Sequence, residues 1–317
     1  MLAIVAPGQG AQTPGFLSPW LTESTSADHL AHLSTVAELD LLHYGTEADA
    51  DTIRDTAVAQ PLLVAAGLLV GRQLLDGTDG IGAAGVVAGH SVGEITAAAL
   101  VGALSDDEAM VFVRERGRAM AEAAALVPTS MTAVIGGKAD EVLAAIEAQG
   151  LTPANNNGSG QIVAAGTTQQ LAALAEHPPA RARLIPLSVA GAFHTVHMSS
   201  ASDHLAHLAD TLSPHDPATR LLSNADGQVV AGGADVLHRL VGQVASPVRW
   251  DLCLQAMVDL GVTGLLELTP AGTLTGIAKR NLKGVELLAL NTPDQLPEAR
   301  EFLQRHAGSA DADRATS

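Results

Sequence analysis

A chain of 317 residues with 47 % hydrophobic side chains can bury one large core or two smaller ones, and with 2 % aromatics that core must be Ala, Leu and Val. Seventeen basic against 34 acidic residues leave a formal charge of −17, which argues against nucleic acid and anionic membrane surfaces as partners. The single cysteine, Cys253, excludes an intramolecular disulfide framework and fits a reducing cytosol; between Leu252 and Leu254 it reads as a buried small residue.

The apolar run Leu2–Ala6 reads as a first strand, with Pro7-Gly8-Gln9-Gly10-Ala11-Gln12 as its loop. The run is too short for the core of a signal peptide, and no basic segment precedes it. The loop lacks the Gly-Lys-Ser/Thr ending of a phosphate loop and is not Gly-x-Gly-x-x-Gly, so nucleotide binding is not expected. Thr56 to Gly71 is uncharged but interrupted by Gln60-Pro61, and reads as a buried helix, too short for a membrane span.

Ala84–Ala88 is apolar, β-branched and short, as suits a buried central strand, and Ile95–Leu100 suits a helix. Between them lies Gly89-His90-Ser91-Val92-Gly93-Glu94. A strand turning sharply into a helix needs small residues on both sides, which Gly89 and Gly93 supply. Ser91 would then stand at the apex, near the positive end of the helix, placed for acyl transfer through an acyl-serine. The plain alternative is a Gly-Ser turn without chemistry. His90 would point away from Ser91 and serve structure. The backbone N–H of Val92 is one expected oxyanion donor, and the Pro7–Gln12 loop is suited to supply the second.

Ser105-Asp106-Asp107-Glu108 is a capping box opening a helix to about Ala125, and Pro128 marks a break. Ala109, Phe112, Val113, Met120 and Ala123 form its apolar stripe, and Arg116 falls within it, while Arg114 and Arg118 fall opposite. An inward Arg must be paired. Either it meets an Asp or Glu in a structural ion pair, or it awaits a substrate carboxylate.

From 128 to 190 the rhythm changes. Met131–Gly136, Thr152–Asn155, Gln161–Ala165 and Arg183–Val189 read as strands. Ala139–Gln149 reads as a helix, and a second capping box at Thr167–Gln170 opens another to about Glu176. The order β-α-β-β-α-β is that of a ferredoxin-like subdomain. It would be inserted into a discontinuous α/β-hydrolase-like large domain, 1–127 and 191–307. Beyond it, Ser199–Leu212 and Trp250–Leu260 look helical, and Leu221–Ser223, Gly264–Glu267 and Glu286–Ala289 look like strands. The tail 308–317 is expected to be disordered.

An acyl-serine mechanism needs a base. Of the candidates His177, His194, His197, His204, His207, His215 and His238, His194 is favoured over His197 because it follows a strand end and a Gly turn. His204 and His207 fall inside a helical pattern. The His residues are scattered, and no His/Cys pair has zinc-like neighbours, so no metal is expected.

Pro7–Gln12, Gly89–Glu94, Arg116-Gly117, Gly191-Ala192-Phe193-His194 and Ser246-Pro247-Val248-Arg249-Trp250 occur in the order of the malonyl-CoA:acyl carrier protein transacylases, which the chain resembles over nearly its whole length. It looks most like the discrete enzymes of actinobacterial fatty acid and polyketide synthesis. The resemblance implies Ser91 as nucleophile, His194 as general base, Gln9 and Val92 as oxyanion-hole donors, and Arg116 as holder of the malonyl carboxylate. It implies a backbone carbonyl as the third partner of the base, matched here to Arg249. Gln60 and Asn155–Asn157 match positions near the site. Phe193 resembles the malonyl-selective pattern, where methylmalonyl-selective relatives carry Ser, and Val92 agrees, since those relatives often carry Gln. The implied donor is malonyl-CoA, the implied partner an acyl carrier protein bearing phosphopantetheine, with no bound cofactor and a cytoplasmic setting.

Two rivals differ in testable features. A serine thioesterase or esterase needs no inward Arg and wants an acidic triad member between Ser91 and His194; Asp106, Asp107 and Asp140 lie there, on predicted helix starts. A non-catalytic carrier-protein docking module would have lost nucleophile, base or Arg. Docking of an acidic carrier needs local positive charge, for which Lys279, Arg280 and Lys283 or Arg181 and Arg183 are candidates.

Overall fold

The computed structural model describes residues 1–307; the tail expectation lies outside them. In chain order the first half holds β1 (Leu2–Ala6), α1 (Ser24–Ala37), α2 (Leu41–Thr46), α3 (Thr56–Leu75), β2 (Val86–Gly89), α4 (Gly93–Leu100) and α5 (Asp106–Leu126). A middle segment follows with β3 (Thr129–Gly136), α6 (Ala139–Ala148), β4 (Thr152–Asn156), β5 (Gln161–Thr167), α7 (Thr168–Glu176) and β6 (Ala182–Pro186). The rest comprises α8 (Ser199–Ala209), β7 (Arg220–Leu222), β8 (Val229–Val230), α9 (Gly233–Gln243), β9 (Val248–Arg249), α10 (Trp250–Asp259), β10 (Gly264–Glu267), α11 (Thr273–Asn281), β11 (Glu286–Ala289) and α12 (Leu296–His306).

The larger sheet has the order β11-β10-β1-β2-β7-β8, parallel except for the β7–β8 hairpin. Every residue of β1 and β2 is buried, as a parallel sheet covered on both faces requires. Leu2 and Ile4 point to one core, with α1, α3, α4 and α5; Ala3 and Val5 point to the other, with α10 and α11. Helix α3 is apolar all round, and by length and composition could cross a membrane, yet 78 % of its apolar window is buried inside the protein. The loops after β1 and β2 leave the sheet at its carboxyl edge, where neighbouring connections run opposite ways and ligand crevices form.

The second sheet has the order β6-β3-β5-β4-β9. Its first four strands are antiparallel and carry α6 and α7 in the β-α-β-β-α-β order read from the sequence. The capping boxes form at Ser105/Glu108 and Thr167/Gln170. Three differences from expectation bear on how the site is assembled. Strand β9, two residues long and outside the middle segment, pairs parallel with β4, Asn155 opposite Val248, and joins the small sheet to the rest. Strand β6 ends at Pro186 rather than Val189, so residues 187–195 reach the crevice as irregular chain. Helix α9, buried along Val236, Leu237, Leu240 and Gln243, falls in a stretch for which no helix is expected from sequence.

Candidate active site

The turn between β2 and α4 places Ser91 at φ 54°, the left-handed region that few residues adopt without constraint. Close packing supplies the constraint. A Cβ on Gly89 would lie 1.9 Å from the Gly93 carbonyl carbon, and one on Gly93 would lie 2.3 Å from the Ala6 oxygen. Backbone meets backbone at both, so nothing can move aside. Gly89→Ala should therefore lose about 3 kcal/mol or more of stability, read as a fall in Tm, because overpacking at immobile atoms exceeds the usual range. A Tm unchanged by this substitution would contradict the packing argument.

Asn224, just beyond β7, pins the turn. Its Oδ1 accepts from the Ser91 N–H at 2.8 Å and its Nδ2 donates to the Gly89 carbonyl at 2.8 Å. Sequence reasoning misses this residue; it lies in no motif and its partners are 133 and 135 positions away.

Ser91 Oγ lies 2.7 Å from His194 Nε2. On its other side His194 Nδ1 meets the backbone carbonyl of Gln243 at 2.9 Å. A carbonyl only accepts, so Nδ1 carries the proton and Nε2 is left as an acceptor for the serine hydroxyl. His194, at φ 61°, is held by its own N–H donating to Val244 O at 3.0 Å. The carbonyl role matched to Arg249 is thus corrected. Arg249 donates its N–H to Asn224 O at 2.7 Å and pairs its guanidinium with Asp251, while the carbonyl at His194 comes six residues earlier, from the end of α9. The physical reason is the helix end: the last carbonyls of α9 have no intrahelical partner and face the crevice.

Among the described residues no carboxylate bonds His194. Asp106 pairs with Arg72 and Asp107 with His32, at the far end of α5 from Arg116. The acidic triad member that a hydrolase would use is not supplied by these residues. Burial, then the Arg116 charge, pushes the His194 imidazole down to about 3, so it is neutral throughout the physiological range.

Arg116, on the inner face of α5, is 1 % exposed. Its Nη1 donates to Gln60 Oε1, its Nη2 to Gln243 Oε1 at 2.7 Å, and Nη2 also reaches Ser91 Oγ at 3.4 Å. All three partners are neutral oxygens; the direct ion pair considered from sequence does not form. Arg114 and Arg118, on the opposite face, pair with Glu38 and Glu115. Burial lowers Arg116 to about 10, with Glu94 opposing that shift, and it remains charged. Glu94 is itself buried, pushed up to about 7 chiefly by desolvation.

Ser91 and His194 open onto a cavity of about 260 Å³. Gln9, Val92, Phe193, Gln60, Asn155 and Asn157 line it together with Ser91 and His194, and Met120, Met131, Leu187 and Ile277 add apolar wall. The Gln9 side chain donates to the Arg54 carbonyl at 3.2 Å, fixing the first loop. Among the described residues, the Gln9 and Val92 backbone N–H groups donate to no protein acceptor, as oxyanion donors must. His90 bonds Asn157 at 2.9 Å and packs edge-on to Trp250, tying the elbow to the small sheet. Phe193 is buried against this space, 6 % exposed. Helix α11 lines the cavity with Leu274 and Ile277 and carries Lys279 and Arg280 exposed; Arg181 precedes β6 and Arg183 lies within it. His197 lies within a short turn after His194 that Thr195 caps, and His204 pairs with Glu115 on the surface. Cys253 is buried, donating to Ser223 O. Among the described residues no cluster of His, Cys, Asp and Glu could hold a metal ion.

The sequence matches the family described as "Acyl transferase domain" over residues 4–305. It is 49 % identical over 298 residues to the malonyl CoA-acyl carrier protein transacylase of Mycobacterium tuberculosis, covering 94 % of this chain and 99 % of the relative. The fold is similar to a crystal structure of MCAT from Mycobacterium tuberculosis, with a TM-score of 0.90 at 49 % identity, covering 95 % of this chain and 99 % of that one. It is also similar, with a TM-score of 0.87 at 30 % identity and coverage of 95 % and 99 %, to PlMCAT in a complex of a type II PKS acyl carrier protein with its malonyl-transacylase.

Proposed function

The chain belongs to the acyl transferase domain family, and from that premise we propose the residue roles by which it moves malonyl from malonyl-CoA to acyl carrier protein. The enzyme is an acyltransferase, and its product is an extender unit for fatty acid or polyketide synthesis. Its two substrates are thioesters or thiols, so the chemistry asks for no resident cofactor.

His194 Nε2 takes the Ser91 proton as Oγ attacks the malonyl thioester carbonyl. The oxyanion is held by the N–H groups of Gln9 and Val92. The C–S bond breaks, His194 returns the proton to the sulfur, and coenzyme A leaves. The phosphopantetheine thiol then gives its proton to His194 and attacks the malonyl-serine; Ser91 leaves and recovers that proton. Gln243, through its carbonyl, keeps His194 in the tautomer that can accept. Arg116 holds the malonyl carboxylate, and Phe193 restricts space at the α-carbon, where one methyl is worth only about 1–3 kcal/mol of discrimination.

The observation that carries this reading is Arg116: a buried cation 3.4 Å from the nucleophile, held by neutral oxygens alone. Such a charge suits an acyl group ending in a carboxylate. A neutral-acyl hydrolase has no use for it. We further assign residues 1–127 with 191–307 to the acyl-transferring domain and 128–190 to the ferredoxin-like subdomain. The basic end of α11 suits an acidic carrier at the cavity mouth. The buried free cysteine supports a cytoplasmic setting.

The test is intact mass after brief exposure to malonyl-CoA. A malonyl adduct should form, persist, and be discharged by holo acyl carrier protein. Free malonate accumulating without carrier, and no lasting adduct, would mean a hydrolase.

A further inference from the structure

Glu94 follows the nucleophile by three residues and is unused in the steps above. It is 6 % exposed, on the first turn of α4. One carboxylate oxygen accepts from the Asn224 N–H at 2.7 Å; the other accepts from Gln243 Nε2. Gln243 Nε2 also donates to the Ser91 carbonyl at 3.0 Å, and its Oε1 accepts from Arg116. The orientation of this amide is unambiguous, because Arg116 can only donate and the Ser91 carbonyl can only accept.

Arg116 and Glu94 are therefore buried opposite charges separated by one amide. A buried guanidinium without a counter-charge is costly, but a carboxylate in direct contact would fill the fork that a substrate carboxylate needs. An intervening amide meets both demands. With a carboxylate on its NH2, the amide oxygen becomes a stronger acceptor for the guanidinium. The other cation that Glu94 feels, Arg239, is already paired with Asp226 and Asp235. We propose that Glu94 is a positioning residue that acts through the Gln243 amide as the counter-charge of Arg116, keeping its carboxylate-binding edge charged, aimed and free of a directly bound protein carboxylate. This rests on the reading of Arg116 as holder of the malonyl carboxylate.

The test compares two rates at Ser91, at a pH above about 7, where Glu94 is ionised. One is malonyl adduct formation from malonyl-CoA. The other is sulfonylation by phenylmethanesulfonyl fluoride, a neutral reagent with no carboxylate to bind. Glu94→Gln keeps the shape, removes the charge, and faces the Asn224 and Gln243 donors with one oxygen instead of two. Malonylation should fall about tenfold to a hundredfold while sulfonylation stays within about threefold, as loss of one member of a buried charge pair predicts. Gln243→Met keeps the backbone carbonyl but removes the amide link. It should lower the ratio of the two rates similarly, and serves if Glu94→Gln does not fold. Equal loss of both rates means a scaffold role only, and unchanged malonylation means no role; either overturns the proposal. Arg116→Ala separates the two readings: if it keeps the malonyl preference, the carboxylate role itself fails. If it loses the preference while Glu94→Gln retains it, only the role of Glu94 fails.

Discussion

Ser91→Ala should form no malonyl adduct and lose transfer by a factor on the order of 10⁴ to 10⁶, since nucleophile and base act as one unit. His194→Ala should lose a similar factor, and the double variant little more. The 2.7 Å contact and the 2.9 Å contact behind it make Ser91, His194 and the Gln243 carbonyl one chain of proton positions. Removing either end leaves the other without a function, so the two losses do not add. The same geometry fixes a pH dependence. Burial and Arg116 hold His194 at about 3 instead of 6.5, so it stays an acceptor as pH falls through 6.5. Sulfonylation of Ser91 should show no inflection near 6.5. With the malonyl carboxylate on Arg116, part of that depression is relieved, so the acid limb of kcat should lie above that of kcat/KM. The linkage to stability has a definite sign: a depressed imidazole contributes stability above 6.5 that is lost as pH falls toward 3, because the unfolded chain binds the proton first. An inflection of the sulfonylation rate at the ordinary imidazole value would contradict the buried, neutral base.

Arg116→Ala should lower malonyl transfer by about 10² to 10³, the worth of a buried charge-assisted contact, while acetyl transfer changes little. Arg116→Lys should not restore it, since an ammonium cannot supply the planar fork that faces Gln60 and Gln243 together. The substitution also strips a donor from two buried amide oxygens and the counter-charge from Glu94, so stability should fall by about 3–5 kcal/mol. Comparison of donors is therefore made on protein shown by its Tm to be folded. Equal losses with malonyl-CoA and acetyl-CoA would refute the carboxylate role.

Much of this was legible along the chain because it is encoded locally. Gly89 to Glu94 announces a tight strand-to-helix turn, since only small residues permit the approach of that turn to the Ala6 carbonyl. The capping boxes mark α5 and α7, and the period of α5 turns Arg116 inward. The β-α-β-β-α-β order of the middle segment follows from its own patterning.

What the sequence could not decide is which distant groups complete these local pieces. The partner of His194 is a carbonyl, which every residue carries, so no side-chain pattern can point to it; assigning it to Arg249 followed a motif where the end of α9 was needed. Asn224, Gln243 and Glu94 become a network only when the β7 loop and α9 converge on α4, 130 and 149 positions earlier in the chain. Strand β9 is two residues long and pairs only with β4, a strand partner that folding supplies. Sequence by itself determined β1, the strand-turn-helix around Ser91, α5 with its buried face and the order of the middle segment, because propensity, capping and periodicity act over a few residues. The tertiary structure alone decided which carbonyl orients the base and which acid balances the buried guanidinium, because those choices depend on hydrogen-bond geometry between chain segments that meet only once the core has closed.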